Sequence, residues 1–349
     1  MNPKKLLTHL AAHLALVIFL SLAGTAQTAS PAAPAAPPEE TSRPAVHSHR
    51  PTVRTAAPDA AFCASCVRDN LADLAGPALH GRGSGTDDEY HAAQYIADKL
   101  KSYGLAPAAS DTAFVQAVTV HMPANGKVPT VTKTWNVLGK IKGTSDEVIL
   151  LSAHLDHLGV VNGRTYYGAD DDASGVAAVM ELARILAAGP QPKRTVVVAL
   201  WGSEEAGFVG SKSFLQHPPF PLDRIVANLE FEMIGRPDPR LKPDQLWLSG
   251  WERTNLGPEL ASHGASLVAD PHTAEKFFSR SDNYALAEDG IIAQTISSFG
   301  LHKDYHQPTD TVDKIDFRHM DRAVASLIAP IQWLANTTFK PQWVKGKKP

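Results

Sequence analysis

Residues 154–175 are rich in side chains that can bind a metal ion. The stretch reads HLDHLGVVNGRTYYGADDDASG, with two histidines around an aspartate and then three consecutive aspartates. Imidazole nitrogens and carboxylate oxygens are ligands of zinc and related divalent cations. Three adjacent carboxylates repel one another, and a bound cation would compensate their charge. The alternative is that an aspartate caps a following helix, a role that Asp172 or Ser174 could take.

Further candidate ligands follow other segments that are predicted to be buried strands. The apolar run EVILLSAH ends at His154, TVVVALWGSEE ends in Glu204 and Glu205, and Glu232 stands within NLEFEMIG. A single histidine or acid at a strand end is more often only solvated. In an open α/β sheet, however, ligands bind beyond the carboxyl ends of the strands. The recurrence of such residues at three strand ends therefore indicates a site.

The candidate ligands are imidazoles and carboxylates without a thiolate: His154, Asp171, Glu205, Glu232 and His306. This donor set suits an open zinc site better than a closed structural one. Five ligands are too many for one tetrahedral zinc ion, but they fit two ions if one carboxylate bridges. Two such ions can activate a water and polarise a carbonyl group. Glu204 is then free to act as the base that takes the water proton and returns it to a leaving amine.

Strands that alternate with helices must position these side chains. The strand patterns are FVQAVTV, TWNVLGKI, EVILLSAH, TVVVALWGSEE, RIVANLEFEMIG and IIAQTISS. The helical patterns are DDEYHAAQYIADKLKSYGL, ASGVAAVMELARILAAG, and residues 255–263, 281–288 and 317–335. The spacing of the apolar residues in each segment fits its assignment as a strand or a helix. The alternation predicts an α/β domain with a largely parallel sheet.

The order of the motifs HLD, GADDDASG, EEAG, EMIG and YH resembles that of the co-catalytic zinc aminopeptidases, metallopeptidase family twenty-eight. The resemblance runs from about LADLAGPALHGRGSG to the closing helix. It implies a zinc exopeptidase-like three-layer sandwich, in which helices flank a mostly parallel central sheet. It also implies two Zn²⁺ ions and an enzyme that hydrolyses the first bond of peptides with a free amino terminus.

The resemblance assigns roles to individual residues. It implies that His154 and Glu232 hold one zinc ion, that Glu205 and His306 hold the other, and that Asp171 bridges them.

Further residues receive supporting roles from the same resemblance. Glu204 becomes the general acid and base, Asp156 orients His154, and Tyr305 donates to the developing oxyanion. The peptide bond between Asp171 and Asp172 is expected to be cis. His157 receives no role and is interpreted as structural.

Other functions remain open at this point. A glutaminyl cyclase of the same family would work with one zinc ion, and a carboxypeptidase would differ in the charge of its pocket. A non-catalytic binding module would lack ligands, whereas all five are present. Met233, Phe277 and Phe278 could line an apolar pocket for the first side chain of a substrate or pack in the core.

Composition and the amino terminus limit the partners and the compartment. The chain has 349 residues, a formal net charge of −3 and a sequence pI near 6.6, so no basic field for nucleic acid is present. Residues 1–26 combine Lys4 and Lys5 with an apolar run and small residues, which is typical of a cleaved signal peptide. A membrane span is the alternative, but the apolar run is shorter than the roughly 20 residues that a bilayer requires. We expect a secreted or periplasmic protein with no stable membrane span after cleavage.

The sequence divides into four predicted regions. After the signal peptide, residues 27–61 are rich in Pro and Ala and are predicted to form a disordered linker. Residues 62–340 form the predicted zinc peptidase catalytic domain, and residues 341–349 form a basic tail. The two cysteines, Cys63 and Cys66, indicate a local disulfide in an exported chain, with a redox or metal pair as the alternative. The oligomeric state is left open.

Overall fold

The computed structural model describes residues 61–119 and 131–349. These residues fold into a mixed β-sheet with helices on both faces. The described residues belong to one compact unit. The predicted signal peptide lies outside the described residues, as does the predicted linker up to residue 60.

The elements of these residues are as follows. The strands are β1 Ala106–Pro107, β2 Val115–Thr119, β3 Lys133–Ile141, β4 Val148–His154, β5 Gly159–Val161, β6 Arg164–Tyr166, β7 Thr195–Trp201, β8 Ile225–Phe231, β9 Leu246–Leu248, β10 Leu267–Ala269 and β11 Ala293–Ser297. The α-helices are α1 Ala64–Leu74, α2 Asp87–Ser102, α3 Gly175–Ala188, α4 Val209–Gln216, α5 Leu256–Ser262, α6 Asn283–Glu288 and α7 Phe317–Asn336.

The main sheet is parallel at its centre, is antiparallel at the edge formed by β1, β2 and β3, and ends at the other edge in the parallel pair β9 and β10. Its order is β1-β3-β7-β4-β8-β11-β9-β10, and β2 also pairs with β3. Strands β7, β4, β8 and β11 run parallel to one another, whereas β3 is antiparallel to β7 and β9 is antiparallel to β11. The predicted parallel sheet is therefore found in the central strands that carry the candidate ligands. Strands β5 and β6 form a separate hairpin.

Alternation along the central strands explains why helices cover both faces. In β4, Ile149 and Leu151 pack with α1, α2, α3, α5 and α7, whereas Val148 and Leu150 pack with α4 and α6. All seven residues of β4 are buried. A strand buried on both faces reads as a continuous apolar run, which is what the sequence of β4 displays. The result is a helix-sheet-helix sandwich, as the resemblance implied.

The predicted strands and helices correspond to elements of the fold, with ends that differ by a few residues. Helix α2 begins after Thr86, whose hydroxyl accepts a hydrogen bond from the Glu89 backbone N–H, and acids fill its first turn. The sequence patterns did not predict α1, α4 or the short strands β9 and β10.

A disulfide joins Cys63 and Cys66 at the start of α1, as the sequence indicated. The Cys63 backbone N–H donates to the buried carboxylate of Glu181 in α3, which attaches this end of the domain to the core. None of the helices in the described ranges combines the length and apolar character needed to cross a membrane.

Candidate metal centre

The carboxyl ends of three central strands meet at one edge of the sheet. His154, the last residue of β4, is paired in register with Trp201, the last residue of β7. Glu204 and Glu205 follow β7 within four residues, and Glu232 directly follows β8, the other neighbour of β4. The structure thus brings together the residues that the sequence placed at strand ends.

The turn before α3 gives each of its three aspartates different partners. Asp170 accepts a hydrogen bond from the Gly235 backbone N–H at 2.8 Å, and its other oxygen lies 2.9 Å from His302 Nε2. Asp172 accepts from the backbone N–H of Gly175 and of Met233, both at 3.0 Å. Asp172 therefore caps α3, and the side chain of Asp171 is left to face the histidines.

The peptide bond between Asp171 and Asp172 is cis, as the resemblance implied. The backbone N–H groups of Asp170 and Asp171 donate to the carboxylate of Asp310 at 3.0–3.1 Å. Asp310 lies in the same loop as His306, so this contact connects the turn to the segment that carries a further candidate ligand.

One potential metal-binding group consists of His154, Asp171 and Glu232, whose candidate ligand atoms lie within 4.8 Å of one another. His154 Nε2 is 3.2 Å from Asp171 Oδ1. His154 and Asp171 are almost completely buried, at 1% and 2% exposed.

The other oxygen of Asp171 belongs to a second group, formed with Glu205 and His157. His306 approaches the same place, with Nε2 at 3.1 Å from both Asp171 Oδ2 and Glu205 Oε1. Asp171 thus has one oxygen directed toward each group, which is the arrangement of a bridging carboxylate. His157, which was interpreted as structural from the sequence, lies at this second group.

Asp156 fixes the backbone beside both groups. Its carboxylate accepts hydrogen bonds from the backbone N–H groups of Glu204 at 2.9 Å and Glu205 at 3.4 Å, and from the hydroxyl of Ser84 at 2.6 Å. The Asp156 Oδ1 to His154 Nδ1 distance is 3.8 Å, which is longer than a hydrogen bond.

Burial and neighbouring charges shift the pKa values of the central carboxylates in opposite directions. Burial raises the pKa of Glu204 well above its ordinary value, and the carboxylate of Glu232 adds to that effect. Burial alone would also raise the pKa of Asp171, but its contacts with His154 and His306 outweigh burial and hold its pKa well below the usual range.

Next to Glu232 the structure has a small cavity whose walls combine four aromatic rings with polar and charged side chains. Its lining residues are Glu232, Met233, Trp247, Phe277, Arg280, Thr295, Ser297, Phe299 and Tyr305. Tyr305 stacks on His306 with ring centroids 3.9 Å apart, so it connects the cavity to the second group. Met233 and Phe277 line this cavity, whereas Phe278 is not among its lining residues and packs against Tyr284 and Trp343.

Arg82 supports the centre, and the sequence reasoning did not identify it. Its side chain is buried and donates to the backbone carbonyls of Leu74, Leu155, Tyr167 and Gly168 at 2.7–3.0 Å. Leu155 follows His154 and residues 167–168 precede Asp171, whereas Leu74 ends α1, so Arg82 connects α1 to the segments that carry two of the candidate ligands. The available signal was the position of Arg82 in the motif HGRGSG, at the start of the resemblance.

The donor set and the buried polar atoms fit metal ions. Both ring nitrogens of His154 and of His157, Oδ2 of Asp171 and Oε1 of Glu205 are buried without a hydrogen-bond partner among the described residues. An unpartnered buried polar atom costs about 1–3 kcal/mol, so a set of them in one place is unfavourable without a ligand. Cations between these atoms would satisfy both the lone pairs and the negative charge.

Comparison with known proteins identifies the family. A family model described as Peptidase family M28 matches residues 136–330, more than half of the chain. The chain belongs to peptidase family M28. An aminopeptidase of Pseudomonas aeruginosa is 40% identical over 109 residues, which are 31% of this chain and 19% of that relative. The chain spans about a fifth of the length of the first curated relatives it matches.

Two solved structures have a similar fold. A zinc aminopeptidase from Bacillus subtilis matches with a TM-score of 0.63 and 15% identity, over 83% of this chain and 98% of that one. The glutaminyl cyclase of Porphyromonas gingivalis matches with a TM-score of 0.59 and 17% identity, over 78% and 99%. These similarities confirm the predicted fold class, and their low identities carry no argument about activity.

Proposed function

We propose that this protein is an exported, zinc-dependent aminopeptidase that releases amino-terminal residues from peptides. The observation that carries the proposal is that two metal-binding groups share the carboxylate of Asp171, with Glu204 beside them. His154 and Glu232 would hold one ion, Glu205 and His306 the other, and Asp171 would bridge. A pair of zinc ions bound there would supply an activated water and polarise the scissile carbonyl group.

Glu204 is proposed to move the proton in this reaction. Its side chain is 8% exposed and lies close enough to His154 and Glu232 for their charges to affect its pKa. Its backbone is fixed by Asp156, so its position relative to the two groups is defined. In that position Glu204 takes the proton of the attacking water and returns it to the leaving amine.

The surroundings of the two groups support recognition of a free amino terminus. A protonated amine is attracted to the carboxylate cluster that includes Glu232. The aromatic cavity beside Glu232 would receive the first side chain, with Met233 and Phe277 in its walls. Tyr305, which also lines the cavity, would donate its hydroxyl hydrogen to the oxyanion that develops on the carbonyl group.

Residues 1–26 support an extracytoplasmic location, secreted or periplasmic, because they have the composition of a signal peptide. The same proposal includes the division into a linker of residues 27–61, a catalytic domain of residues 62–340 and a tail of residues 341–349.

The test combines metal content with cleavage of matched peptides. Purified full-length protein, loaded with zinc, is incubated with peptides that carry free, acetylated or glutaminyl amino termini, and with peptides whose carboxyl terminus is amidated. The proposal expects release only from free amino termini, irrespective of amidation. Glu204→Gln should bind the same amount of metal and lose at least about a hundredfold in kcat, since general base catalysis contributes 10²–10⁴-fold.

The control variant is Glu288→Gln, an exposed acid in α6 that should behave as the wild type. Cyclisation of amino-terminal glutamine would indicate a glutaminyl cyclase, and loss of carboxyl-terminal residues would indicate a carboxypeptidase. Metal binding without turnover of any peptide would indicate a binding module. Each of these three results would overturn the proposal.

A further inference from the structure

His157 is a buried imidazole that the proposed reaction does not use. It has no exposed surface, and it lies three residues after His154 in the motif HLDH. Its backbone N–H donates to the Arg82 carbonyl oxygen, and its own carbonyl oxygen accepts from the Ser84 backbone N–H. This segment is therefore fixed against the loop that contains Arg82.

Gly168, which directly precedes the aspartate turn, also limits the position of the His157 ring. Gly168 has a φ of +59°, and a Cβ at that position would lie 2.5 Å from Cγ of the His157 ring. Only glycine leaves room for the ring there, and glycine also adopts the left-handed conformation without a steric cost. The position of the imidazole is thus defined by its neighbours on both sides.

This ring is directed at the second metal-binding group. His157 Nδ1 lies 3.0 Å from Glu205 Oε1 and 3.8 Å from Asp171 Oδ2. His306 Nε2 lies 3.1 Å from each of the same two oxygens. The two rings are 5.7 Å apart between centroids and meet at 71°. Two imidazole nitrogens therefore approach one pair of carboxylate oxygens from different directions.

The separations of 3.0–3.8 Å among these donors bracket the spacing between ligands of one ion, and the missing hydrogen bonds favour a shared ion over a hydrogen-bond network. Zinc–nitrogen and zinc–oxygen bonds of about 2.0–2.2 Å place the donors of a tetrahedral ion roughly 3.3–3.6 Å apart. His157 Nδ1, Asp171 Oδ2 and Glu205 Oε1 all lack a hydrogen-bond partner among the described residues, although the nitrogen is 3.0 Å from the glutamate oxygen. A hydrogen bond from His157 to Glu205 would have satisfied two of these atoms.

We infer that His157 is a fourth protein ligand of the second metal position, with Asp171, Glu205 and His306. Four protein ligands complete a tetrahedron, which is the arrangement of structural zinc sites. The first position, with His154, Asp171 and Glu232, keeps an open place, which is the arrangement of catalytic sites. The two ions would therefore be unequal: the second would be held tightly as part of the structure, and the first would exchange and receive water and substrate.

The inference rests on the proposed metal pair but not on the peptide chemistry. Zinc alone is the probe. Full-length wild type and His157→Gln are stripped of metal, reloaded and titrated in competition with a chromophoric chelator, which yields two dissociation constants. X-ray absorption at the zinc edge counts the imidazole ligands. His272→Gln is the control, because His272 is also buried but bonds to Asp238, outside both groups.

In the wild type we expect three imidazoles for every two zinc ions, and one site much tighter than the other. His157→Gln should lose one imidazole and weaken the tight site at least about a hundredfold, beyond the 10–100-fold typical of residues that only contact a ligand. The control variant, His272→Gln, should keep both zinc dissociation constants of the wild type. Two imidazoles for every two ions in the wild type would overturn the inference. The X-ray absorption spectrum of the wild type therefore tests the inference even if His157→Gln fails to fold.

Failure of this inference is distinguishable from failure of the proposed function. Two ions with two imidazoles and intact cleavage of free amino termini would remove His157 from the ligand set and leave the aminopeptidase. Three imidazoles without cleavage of any peptide would keep the ligand and remove the activity.

Discussion

The carboxylate of Asp156 accepts a hydrogen bond from the backbone N–H of Glu204 at 2.9 Å. Asp156 follows β4 and Glu204 follows β7, so one side chain connects two of the strand ends that form the candidate metal centre. The resemblance assigned Asp156 to the orientation of His154. In the structure its hydrogen bonds go to the segment that carries the proposed base and to Ser84.

Replacement of Asp156 by asparagine should therefore disturb the Glu204–Glu205 segment. An asparagine has one acceptor oxygen instead of two, so one of the N–H or O–H donors loses its partner. We expect the free energy of unfolding to fall by about 1–3 kcal/mol, with a further loss in kcat. Urea unfolding and peptide release measure the two effects. Asp223→Asn, at an exposed position, is the control; equal unfolding curves and equal kcat for Asp156→Asn would contradict this role.

Arg82 should be necessary for the stability of the loops around the centre. Its guanidinium group donates to four backbone carbonyls, and a lysine ammonium group cannot reproduce that planar arrangement. Arg82→Lys should lower the free energy of unfolding by at least about 2 kcal/mol, measured by urea titration of the metal-free protein. Arg318→Lys, an exposed arginine in α7, should change it by less than about 0.5 kcal/mol. A similar small change for Arg82→Lys would show that the four hydrogen bonds are replaceable.

Glu89 should make the stability of the fold depend on pH. Burial raises the pKa of Glu89 from 4.5 to about 8, and the charge of Asp156 adds to this, while donors such as Thr134 and Ser203 oppose it. Between these two values the folded protein keeps the proton and the unfolded chain has released it. The stabilisation is thus complete below pH 4.5 and is lost as pH rises to 8, by up to about 1.4 kcal/mol per pH unit.

Glu89→Gln removes the titrating group, so its unfolding free energy should fall less steeply over this pH range than that of the wild type. Urea unfolding at several pH values between 5 and 8 compares the two slopes, with Glu288→Gln as the control. Parallel slopes for Glu89→Gln and the wild type would contradict the raised pKa.

Phe277 should determine which amino-terminal residues are cleaved well. It lines the cavity beside Glu232 and stacks on Trp247 with centroids 5.1 Å apart, whereas its neighbour Phe278 is not among the lining residues and packs against Tyr284 and Trp343. If the cavity receives the first side chain, Phe277→Ala should change the ratio of kcat/KM between leucyl and alanyl peptides by about tenfold or more.

The matched control is Phe278→Ala, which removes the same side chain at the adjacent position. It should lower stability and leave that ratio of kcat/KM unchanged. Equal effects of the two variants on the ratio would show that the cavity is not the binding site of the first side chain.

The sequence predicted the central strands well because burial on both faces produces continuous apolar runs such as that of β4. It also predicted that residues after these runs would meet, since parallel strands end at one edge. Strands β9 and β10 were missed because three residues are too few to establish a period. Helix α1 was missed because its apolar positions begin directly after the cysteine motif.

The roles of His157 and Arg82 depend on contacts that the sequence does not contain. The direction of the His157 ring is set by Gly168, 11 residues later, and by the Arg82 loop, 75 residues earlier in the chain. The partners of Arg82 are backbone carbonyls, so no residue type in the sequence marks them. Sequence patterns indicate which side chains can bind metal, and only the fold shows which of them converge.

The central claim is that Asp171 joins two metal ions in one site. The most direct measurement is the metal content of the purified full-length chain, by mass spectrometry after zinc loading and removal of loosely bound ions, together with X-ray absorption. The account predicts two ions per chain and a metal–metal distance of about 3.5–4 Å. One ion per chain, or two without a metal–metal signal, would contradict it.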